Sequence, residues 1–431
     1  MGKYRISQGA ASMLHNGICI GIFVLTMAVV FVRPYKIPEA AAACGGAVLM
    51  IAGGFISPRE ALAALAGEWN IYLFFFGLMT VTAFAEKAGI FEGIAHLAAV
   101  WGRGNTRRLY LAIFGVGAIV TAFLSNDATA LILTPIVYVL ATQLRLPVLP
   151  FMYACTFVAN GASFILPVSN PINILFSDAF GNALPAFLRY MLVPSVLCIA
   201  FNALAFLFIF RRELHRNYHQ EDVPSFTPAD RRFFNYTLVV LGALAAAYVA
   251  FSAFRLPLSL VALAAAIALS IGAIALRVFQ WRDIRGRISW SLFPFITGMF
   301  IIIRAVEGPG ITVAFGHWLL GIAGSHSFPA VLLSATGTAL GANLINNVPM
   351  ALVMISSLGK AGAGPGLVYA SMLGADVGPS LTVVGSLSTI MWSLILRRKG
   401  LEVSSLAYFR LGLIVVPIII VAGSFLIWLG V

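Results

Sequence analysis

Charged residues are scarce in this chain of 431 residues. Asp, Glu, Lys and Arg together make up 10% of it, whereas hydrophobic residues make up 61% and the mean hydropathy is +0.97. A soluble domain usually carries roughly a quarter charged residues. This chain therefore cannot cover a water-facing surface, which excludes a soluble globular domain and a disordered chain.

Paired cysteines and catalytic motifs are also lacking. The four cysteines are scattered without a Cys-x-x-Cys pair, so we interpret them as buried apolar residues and expect no metal site. The sequence contains no H-E-x-x-H, no G-x-S-x-G and no phosphate-binding G-x-x-x-x-G-K-[ST] motif. The six histidines are interpreted as peripheral: His15, His96, His215, His219, His317 and His326. We therefore expect no enzyme and no cofactor.

Long apolar runs fill most of the sequence. At about 20 residues per crossing they accommodate about ten transmembrane helices, which predicts an all-α polytopic membrane protein. A polar segment, 211–234, is the predicted linker between a first half, 1–210, and a second half, 235–431. In each half an apolar stretch is interrupted by Asn or Asp, which predicts re-entrant hairpins near 107–143 and 327–359.

The two halves repeat each other. Rare residue types recur at a spacing of 216 to 221 residues, and they form these pairs: Trp69 with Trp290, Gly77 with Gly298, Glu86 with Glu307, Asn126 with Asn346, Asp127 with Asn347, Asn160 with Asp376, and Asn170 with Ser386. Ten crossings give an odd number per half, so the second repeat is expected to be inverted relative to the first. Each repeat is also expected to contain one broken helix, near 149–178 and 366–396.

The formal net charge is +12, with 27 Lys and Arg residues against 15 Asp and Glu residues. If both hairpins are re-entrant and the linker is cytoplasmic, 20 of the 27 basic residues fall on the cytoplasmic face. Such a bias is typical of multi-pass membrane proteins, so the positive charge indicates orientation rather than a nucleic-acid partner. We expect a bacterial or archaeal cytoplasmic membrane, with both termini external.

Polar side chains at the predicted breaks form the candidate transport site. Non-helical backbone at membrane depth has to be enclosed by protein or line a hydrated cavity. The candidate solute-binding residues are the short polar side chains at the four breaks: Asn126, Asn160, Ser163, Asn170, Asn173, Asn346, Asn347, Ser380, Ser386 and Thr389. We expect Asp127 and Asp376 to carry protons, because a carboxyl group in an apolar run is costly unless it has a function or a partner.

Structural roles are alternatives for several of these groups. Asp127 would serve equally well as a helix cap, and the asparagines of 166–173 as partners for carbonyl groups freed by a proline kink. Asp376 would alternatively be a neutral, hydrogen-bonded acid. Glu86 and Glu307 lie at the ends of equivalent apolar runs and are interpreted as interfacial ion-pair partners.

Four motifs carry a family resemblance. The segments 126–135, 168–173, 346–349 and 374–379 resemble the arsenite-efflux (ArsB) family, the arsenical pump membrane proteins of the ion transporter superfamily. The motifs occur in the family's order in both halves, and the similarity covers almost the whole chain. The superfamily shares inverted repeats, paired re-entrant hairpins and broken helices, in agreement with the repeat described above.

The resemblance implies a secondary transporter that exports arsenite and antimonite across the inner membrane in exchange for protons, by alternating access. Its partners would be these solutes, protons, membrane lipid and, in some members, a cytosolic arsenite-stimulated ATPase. One departure concerns Asn160, because the family commonly has an aspartate there. The resemblance then leaves the proton-carrying role to Asp127 and Asp376.

Two further functions remain open on the residues alone. Arsenous acid is a small neutral trihydroxy solute, which suits Asn, Ser and Thr side chains, whereas an organic dianion would favour fixed positive charge. The same amides, carboxylates and carbonyls would also hold a cation, so a sodium/proton antiporter or a sodium-coupled anion transporter of the same superfamily is the alternative. A simple channel is a weaker one, because inverted repeats with broken helices favour alternating access.

Overall fold

The computed structural model describes residues 2–32, 34, 37–181, 184–254, 256–308, 310–323 and 327–430. Within them the chain is helical, and no strand is present beyond an isolated bridge between Asn105 and Asn217. The predicted all-α class is thereby confirmed. Three of the basic residues counted above and one of the histidines lie outside the described residues: Arg33, Lys36, Arg255 and His326.

Two series of α-helices follow one another along the chain. The first is α1 (Gly2–Val32), α2 (Glu39–Ala52), α3 (Pro58–Gly67), α4 (Trp69–Ala88), α5 (Ile90–Gly102), α6 (Thr106–Leu124), α7 (Asn126–Ala128), α8 (Thr134–Gln143), α9 (Val148–Gly161), α10 (Pro171–Phe180) and α11 (Leu184–Ile209). The second is α12 (Arg231–Ala253), α13 (Leu258–Ala275), α14 (Trp281–Arg285), α15 (Leu292–Glu307), α16 (Ile311–Ala323), α17 (Phe328–Ile345), α18 (Asn347–Lys360), α19 (Pro365–Val377), α20 (Leu387–Arg398) and α21 (Ser405–Leu429).

Seven helices in the described part of the chain are long and apolar enough to cross a membrane: α4, α6, α11, α12, α13, α17 and α21. Four shorter apolar helices or helix segments accompany them, namely Leu14–Val30 within α1, α2, α5 and α9. The chain is therefore a multi-pass membrane protein. The number of about ten crossings stays a prediction, because each predicted broken helix consists of two short pieces.

Two separate hydrophobic cores organise these helices. The first core is built mainly from α1–α4, α12, α13 and α15, and the second mainly from α6, α8–α11 and α17–α21. Helix α5 joins them, since Ile90 and Phe91 pack in the first core while Ala95, Ala98 and Ala99 pack in the second. Each half of the sequence therefore contributes helices to both cores.

Pairs of helices from opposite halves cross closely in the first core. Helix α4 packs on α13, and α15 packs on α2. A Cβ atom at Gly77 would lie 2.7 Å from the carbonyl carbon of Ala262, and one at Gly298 would lie 2.5 Å from that of Ala43. Both crossings therefore require glycine, which gives the repeated Gly77 and Gly298 a packing role.

The chain turns sharply at both predicted hairpin tips. Ser125, between α6 and α7, has φ 103°, and Asn346, between α17 and α18, has φ 74°. Residues with a Cβ rarely adopt such values. Across the first tip the hydroxyls of Thr121 and Thr129 are 2.7 Å apart, and across the second a Cβ at Gly341 would clash with the Met350 side chain.

The backbone conformation aligns the two tips one residue away from the sequence pairing. Ser125 and Asn346 have nearly the same ψ, 159° and 155°. Each is the N-cap of the helix that follows, and its side chain accepts a hydrogen bond from a backbone N–H of that helix. Asn126 then corresponds to Asn347, and Asp127 to Val348. Because the spacing between the repeats changes along the chain, sequence matching alone could not determine this register.

Helices break where prolines and glycines interrupt both 149–178 and 366–396. After α9 the chain runs through a 3-10 turn at Pro167–Ser169 before α10, and after α19 through another at Gly378–Leu381 before α20. Asn170 and Ser386 are the N-cap residues that restart the helices. The breaks lie side by side, so their side chains meet in the second core.

Candidate transport site

Asp376 lies where the two broken helices meet. Its side chain is buried, and its Oδ1 atom accepts hydrogen bonds from the Ser163 hydroxyl at 2.7 Å and from the Asn170 amide at 2.5 Å. The other oxygen, Oδ2, is buried and has no hydrogen-bond partner among the described residues. One carboxyl group from the second half therefore joins two polar residues from the first half, and it keeps a free acceptor.

Asn160 makes a second connection between the broken helices. Its amide nitrogen lies 3.2 Å from the Ser380 hydroxyl and 3.4 Å from the Thr389 hydroxyl. Thr389 is also 2.9 Å from the Ser386 hydroxyl. Four of the predicted binding residues thus form one buried polar group. Since an aspartate at position 160 could only accept hydrogen bonds when ionised, both hydroxyls would have to turn towards it.

The asparagines of the first break have two roles. Asn173 donates to the Ser163 carbonyl at 2.7 Å, and Asn170 accepts from the Ile172 backbone N–H at 3.2 Å. These bonds correspond to the structural role considered above, in which side-chain amides form hydrogen bonds with backbone groups that a proline break leaves unpaired. Asn170 nevertheless also donates to Asp376, so its side chain serves the backbone and the site together.

Two of the predicted binding residues have a buried amide oxygen without a partner among the described residues. These oxygens are Oδ1 of Asn126, at the first hairpin tip, and Oδ1 of Asn173, at the first break. Both side chains are almost fully buried. An unpartnered buried acceptor is costly, and these oxygens and Oδ2 of Asp376 are, within the described residues, unpaired acceptors of the first hairpin tip and the two breaks.

Asp127 contacts Ser388, a polar residue of the second broken stretch that is not among the predicted binding residues. The Ser388 hydroxyl donates a hydrogen bond to Oδ1 of Asp127, which connects the first hairpin tip to the start of α20. Ser125, not Asp127, caps the short helix α7, so the capping alternative for Asp127 is wrong. In the sequence, Ser388 is marked only by its position two residues after Ser386, the N-cap of α20.

Replacing Ser388 by alanine tests this contact. A hydrogen bond to a charged group contributes about 1.5 kcal/mol or more, which corresponds to about tenfold in an equilibrium. If the charged form of Asp127 is used in transport, we expect Ser388→Ala to reduce solute uptake into everted membrane vesicles, driven by a pH gradient, about tenfold at neutral pH.

The matched control is Ser270→Ala, because Ser270 donates only within its own helix, to the Ala266 carbonyl at 2.7 Å. Equal uptake by both alanine variants would show that the contact between Ser388 and Asp127 has no part in transport.

The second hairpin tip also lies at the junction. The backbone N–H of Asn347 donates to the Gly385 carbonyl at 3.2 Å. Asn343, one turn before the tip, was missed by sequence reasoning. Its amide donates to the Gly378 carbonyl at 2.7 Å, and its Oδ1 accepts from Thr382 at the same distance. Asn343 thus joins the hairpin to the second broken helix.

Cavities reach both hairpin tips from one face of the protein. A cavity of about 250 Å³, the Asp127 cavity, is lined by Ser125, Asp127, Glu86 and Arg287 among others. A second cavity of about 250 Å³, the Asn346 cavity, is lined by Asn346, Glu39 and Arg397 among others. Both lie towards the linker, because Glu86 also lines a cavity beneath Pro224 and Arg397 is two residues before Lys399 in the lining of that same cavity.

A third cavity lies on the opposite face. The Asp178 cavity, of about 270 Å³, is lined by Pro167, Ile174, Ser177 and Asp178, with Asn70, Gly181, Ser252, Leu256 and Leu258. Adding 216 to the first four positions gives 383, 390, 393 and 394, all of which line the Asn346 cavity. Equivalent positions of the two halves therefore line cavities on opposite faces.

Ion pairs lie near the ends of the equivalent helices α4 and α15. Glu86 accepts from Arg287 at 2.7 Å, and Glu307 accepts from Arg304 at 2.7 Å and lies 3.1 Å from the Lys360 ammonium. The predicted ion-pair role of both glutamates is confirmed. Among the described residues, no group of three His, Cys, Asp or Glu side chains is placed to hold a metal ion.

Comparison with known proteins agrees with this architecture. Residues 21–374 match the citrate transporter family (CitMHS). The arsenical pump membrane protein of Escherichia coli strain K12 is 30% identical over 410 residues, which cover 93% of this chain and 96% of that protein. The protein of the same name from Yersinia enterocolitica is 28% identical over 415 residues, with the same coverage.

Two solved structures share the fold. The YdaH transporter of Alcanivorax borkumensis matches with a TM-score of 0.61 at 15% identity, over 85% of this chain and 86% of that chain. MtrF of Neisseria gonorrhoeae, described as one of a class of antimetabolite efflux pumps, matches with a TM-score of 0.55 at 14% identity, over 86% and 83%. The two structures share the fold of this chain, and the sequence similarity over 93% of its length places it in the arsenical pump membrane protein family, so it is a membrane transporter.

Proposed function

We propose that this transporter exports arsenite from the cytoplasm in exchange for protons, and that Asp376 and Asp127 carry the protons. The observation behind this proposal is the setting of Asp376, a buried carboxyl group between two broken helices with one oxygen unpartnered among the described residues. Ser163 and Asn170 donate to its other oxygen, which stabilises the ionised form. Such a group has the means to hold a proton in one state and release it in another.

The chemistry of the polar group supports a neutral, hydroxylated solute. Arsenous acid both donates and accepts hydrogen bonds, and the side chains of Asn160, Ser380 and Thr389 offer both functions. Among the described residues, the hydrogen bonds that join this polar group involve no basic side chain. Citrate would require compensation of its negative charge, so arsenite fits better than the substrate in the family's name, and antimonite fits for the same reason.

Alternating access is supported by the two cores. The second core holds both broken helices and most of both hairpins, and it contacts the first core through the hairpin tips and the breaks. On the face opposite the linker, α18 packs on α10 and α15, whereas on the linker face the Asp127 cavity separates the first tip from α4. This arrangement supports alternating access, in which movement of the second core against the first would expose the breaks to one face and then to the other.

The proposed orientation places the linker, 211–234, in the cytoplasm of a bacterium and both termini outside. In this orientation the Asp127 and Asn346 cavities lie on the cytoplasmic side, where an exporter takes up its solute. The two halves are proposed to be inverted repeats, consistent with equivalent positions lining the Asn346 and Asp178 cavities on opposite faces. A cytosolic ATPase, as some family members use, would bind on the linker face.

Everted membrane vesicles provide the test. Their lumen corresponds to the cell exterior, so an acid lumen should drive uptake of labelled arsenite and antimonite without ATP. Uptake should disappear when a protonophore collapses the pH gradient. Dissipation of the gradient by sodium in the absence of arsenite uptake would instead identify a sodium/proton antiporter, and uptake that requires ATP would show that the protein depends on an ATPase.

A further inference from the structure

The linker face contains a route that leads past one glutamate to Asp127. Besides the Asp127 cavity, a larger linker cavity of about 470 Å³ lies beneath the segment Pro224, Ser225 and Phe226. The two cavities share Glu86 and Ile132 in their linings. Glu86 therefore stands between the hairpin tip and the cytoplasmic surface.

Charged and titratable groups surround Glu86 from every neighbouring element. Arg287 donates to it from the segment before α15, Lys87 is its neighbour in the chain, and Asp127 lines the same cavity from the hairpin tip. The linker cavity adds the following groups: Glu92 and His96 from α5, and Lys399 from the end of α20. The Glu86 side chain remains 29% exposed, so water can reach it.

The linker and α5 hold the outer part of this route in place. The Nδ1 atom of His96 lies 2.9 Å from the Pro224 carbonyl, and Phe226 packs against Gly93. The pKa of Glu92 is raised, mainly by burial and further by the negative charge of Glu86. Glu92 lines the linker cavity beside Glu86, which is paired with Arg287.

We propose that Glu86 is the proton-relay residue between Asp127 and the cytoplasm. In this step the O–H bond of the protonated Asp127 breaks and an O–H bond forms on Glu86 through water in the Asp127 cavity. The electron pair remains on Asp127, whose carboxylate accepts the Ser388 hydroxyl. Glu86 then passes the proton to water in the linker cavity and re-forms its ion pair with Arg287. The inference rests on the proposed proton exchange.

The equivalent glutamate of the second half has a different environment. Glu307 is held by both Arg304 and Lys360, and its side chain is 14% exposed. It lines none of the cavities described above. Glu307 therefore provides a matched control, since it shares the helix position and the ion pairing of Glu86 without access to a hairpin tip.

Two transport modes in everted vesicles separate a relay from a structural role. Net arsenite uptake driven by the pH gradient requires proton release to the bath, whereas exchange of labelled for unlabelled arsenite does not. We expect Glu86→Gln to slow net uptake by about 100-fold, in line with the loss of a proton-transfer group, and to leave exchange unchanged. Glu86→Asp should restore net uptake, and Glu307→Gln should leave both modes unchanged.

Each outcome is decisive. Normal net uptake by Glu86→Gln at every bath pH, or equal losses in Glu86→Gln and Glu307→Gln, would overturn the relay. If Glu86→Gln loses exchange as well, the Glu86→Asp variant distinguishes a relay from a structural role. Recovery of net uptake in Glu86→Asp would support the relay, and no recovery of net uptake would contradict it. Failure of the unmodified protein to exchange arsenite would contradict the proposed function. The relay would then be tested separately, by comparing proton release from the unmodified protein and from Glu86→Gln when other solutes are added.

Discussion

Asp376→Asn is expected to abolish proton-driven arsenite uptake while preserving arsenite exchange. Asparagine has nearly the same shape as a protonated aspartate, and its Oδ1 atom can still accept from Ser163 and Asn170. Its nitrogen would occupy the position of Oδ2, which has no partner among the described residues. The variant should therefore fold and bind solute, yet it cannot release a proton.

The measurement compares both transport modes in everted vesicles. We expect net uptake driven by an acid lumen to fall at least about 100-fold, as for loss of an essential acid-base group, with exchange within about twofold of the unmodified protein. The control is Asp222→Asn, an exposed carboxylate in the linker, which should leave both modes unchanged. Net uptake that still follows the pH gradient in Asp376→Asn would exclude this carboxyl group as a proton carrier.

Gly412→Ala is expected to impair transport through the packing of the second broken helix. Gly412 lies on α21, and a Cβ there would clash with the Ser380 carbonyl oxygen and lie 2.8 Å from the Leu381 Cα. These are backbone atoms of the 3-10 turn that presents Ser380 to Asn160. Helix α21 or the turn must therefore move, and overpacking of this kind costs about 1–3 kcal/mol.

Gly115→Ala is the matched control for that substitution. Gly115 is an exposed residue of α6, and a Cβ there would meet no atom within 4 Å. Alanine favours a helix over glycine by about 1 kcal/mol, so Gly115→Ala should be neutral or slightly stabilising. We expect Gly412→Ala to lower the thermal midpoint in detergent and to reduce arsenite exchange at least about tenfold, by the free energy given above. Equal behaviour of the two variants would contradict the close contact.

The positions of the breaks were readable from local sequence. Clusters of Asn, Asp, Pro and Gly within long apolar runs favour an interrupted helix, and the structure turns or breaks at the four predicted clusters, whereas single prolines such as Pro194 and Pro417 lie inside continuous helices. Asp376 could be selected because a carboxyl group stands out in an apolar run. Its partners Ser163 and Asn170 are more than 200 positions away, and the sequence indicated them only as polar residues of the other break.

Other features depend on long-range packing that sequence patterns do not contain. Glu86 pairs with Arg287, 201 positions away, and no local spacing indicates that contact. Asn343 lies inside the regular helix α17, where asparagine has no local signature, and the contact of Ser388, at the start of α20, with Asp127 spans 261 positions. The division into two cores also escapes sequence analysis, because each half contributes helices to both.

The central claim is that arsenite and protons move in opposite directions through one protein. Purified protein in liposomes loaded with arsenite and a pH-sensitive dye, without ATP, sodium or an initial pH gradient, tests it directly. Outward arsenite flow should acidify the lumen, and Asp376→Asn should abolish the acidification while exchange continues. Arsenite efflux without any change in luminal pH, the membrane potential being clamped, would contradict proton exchange.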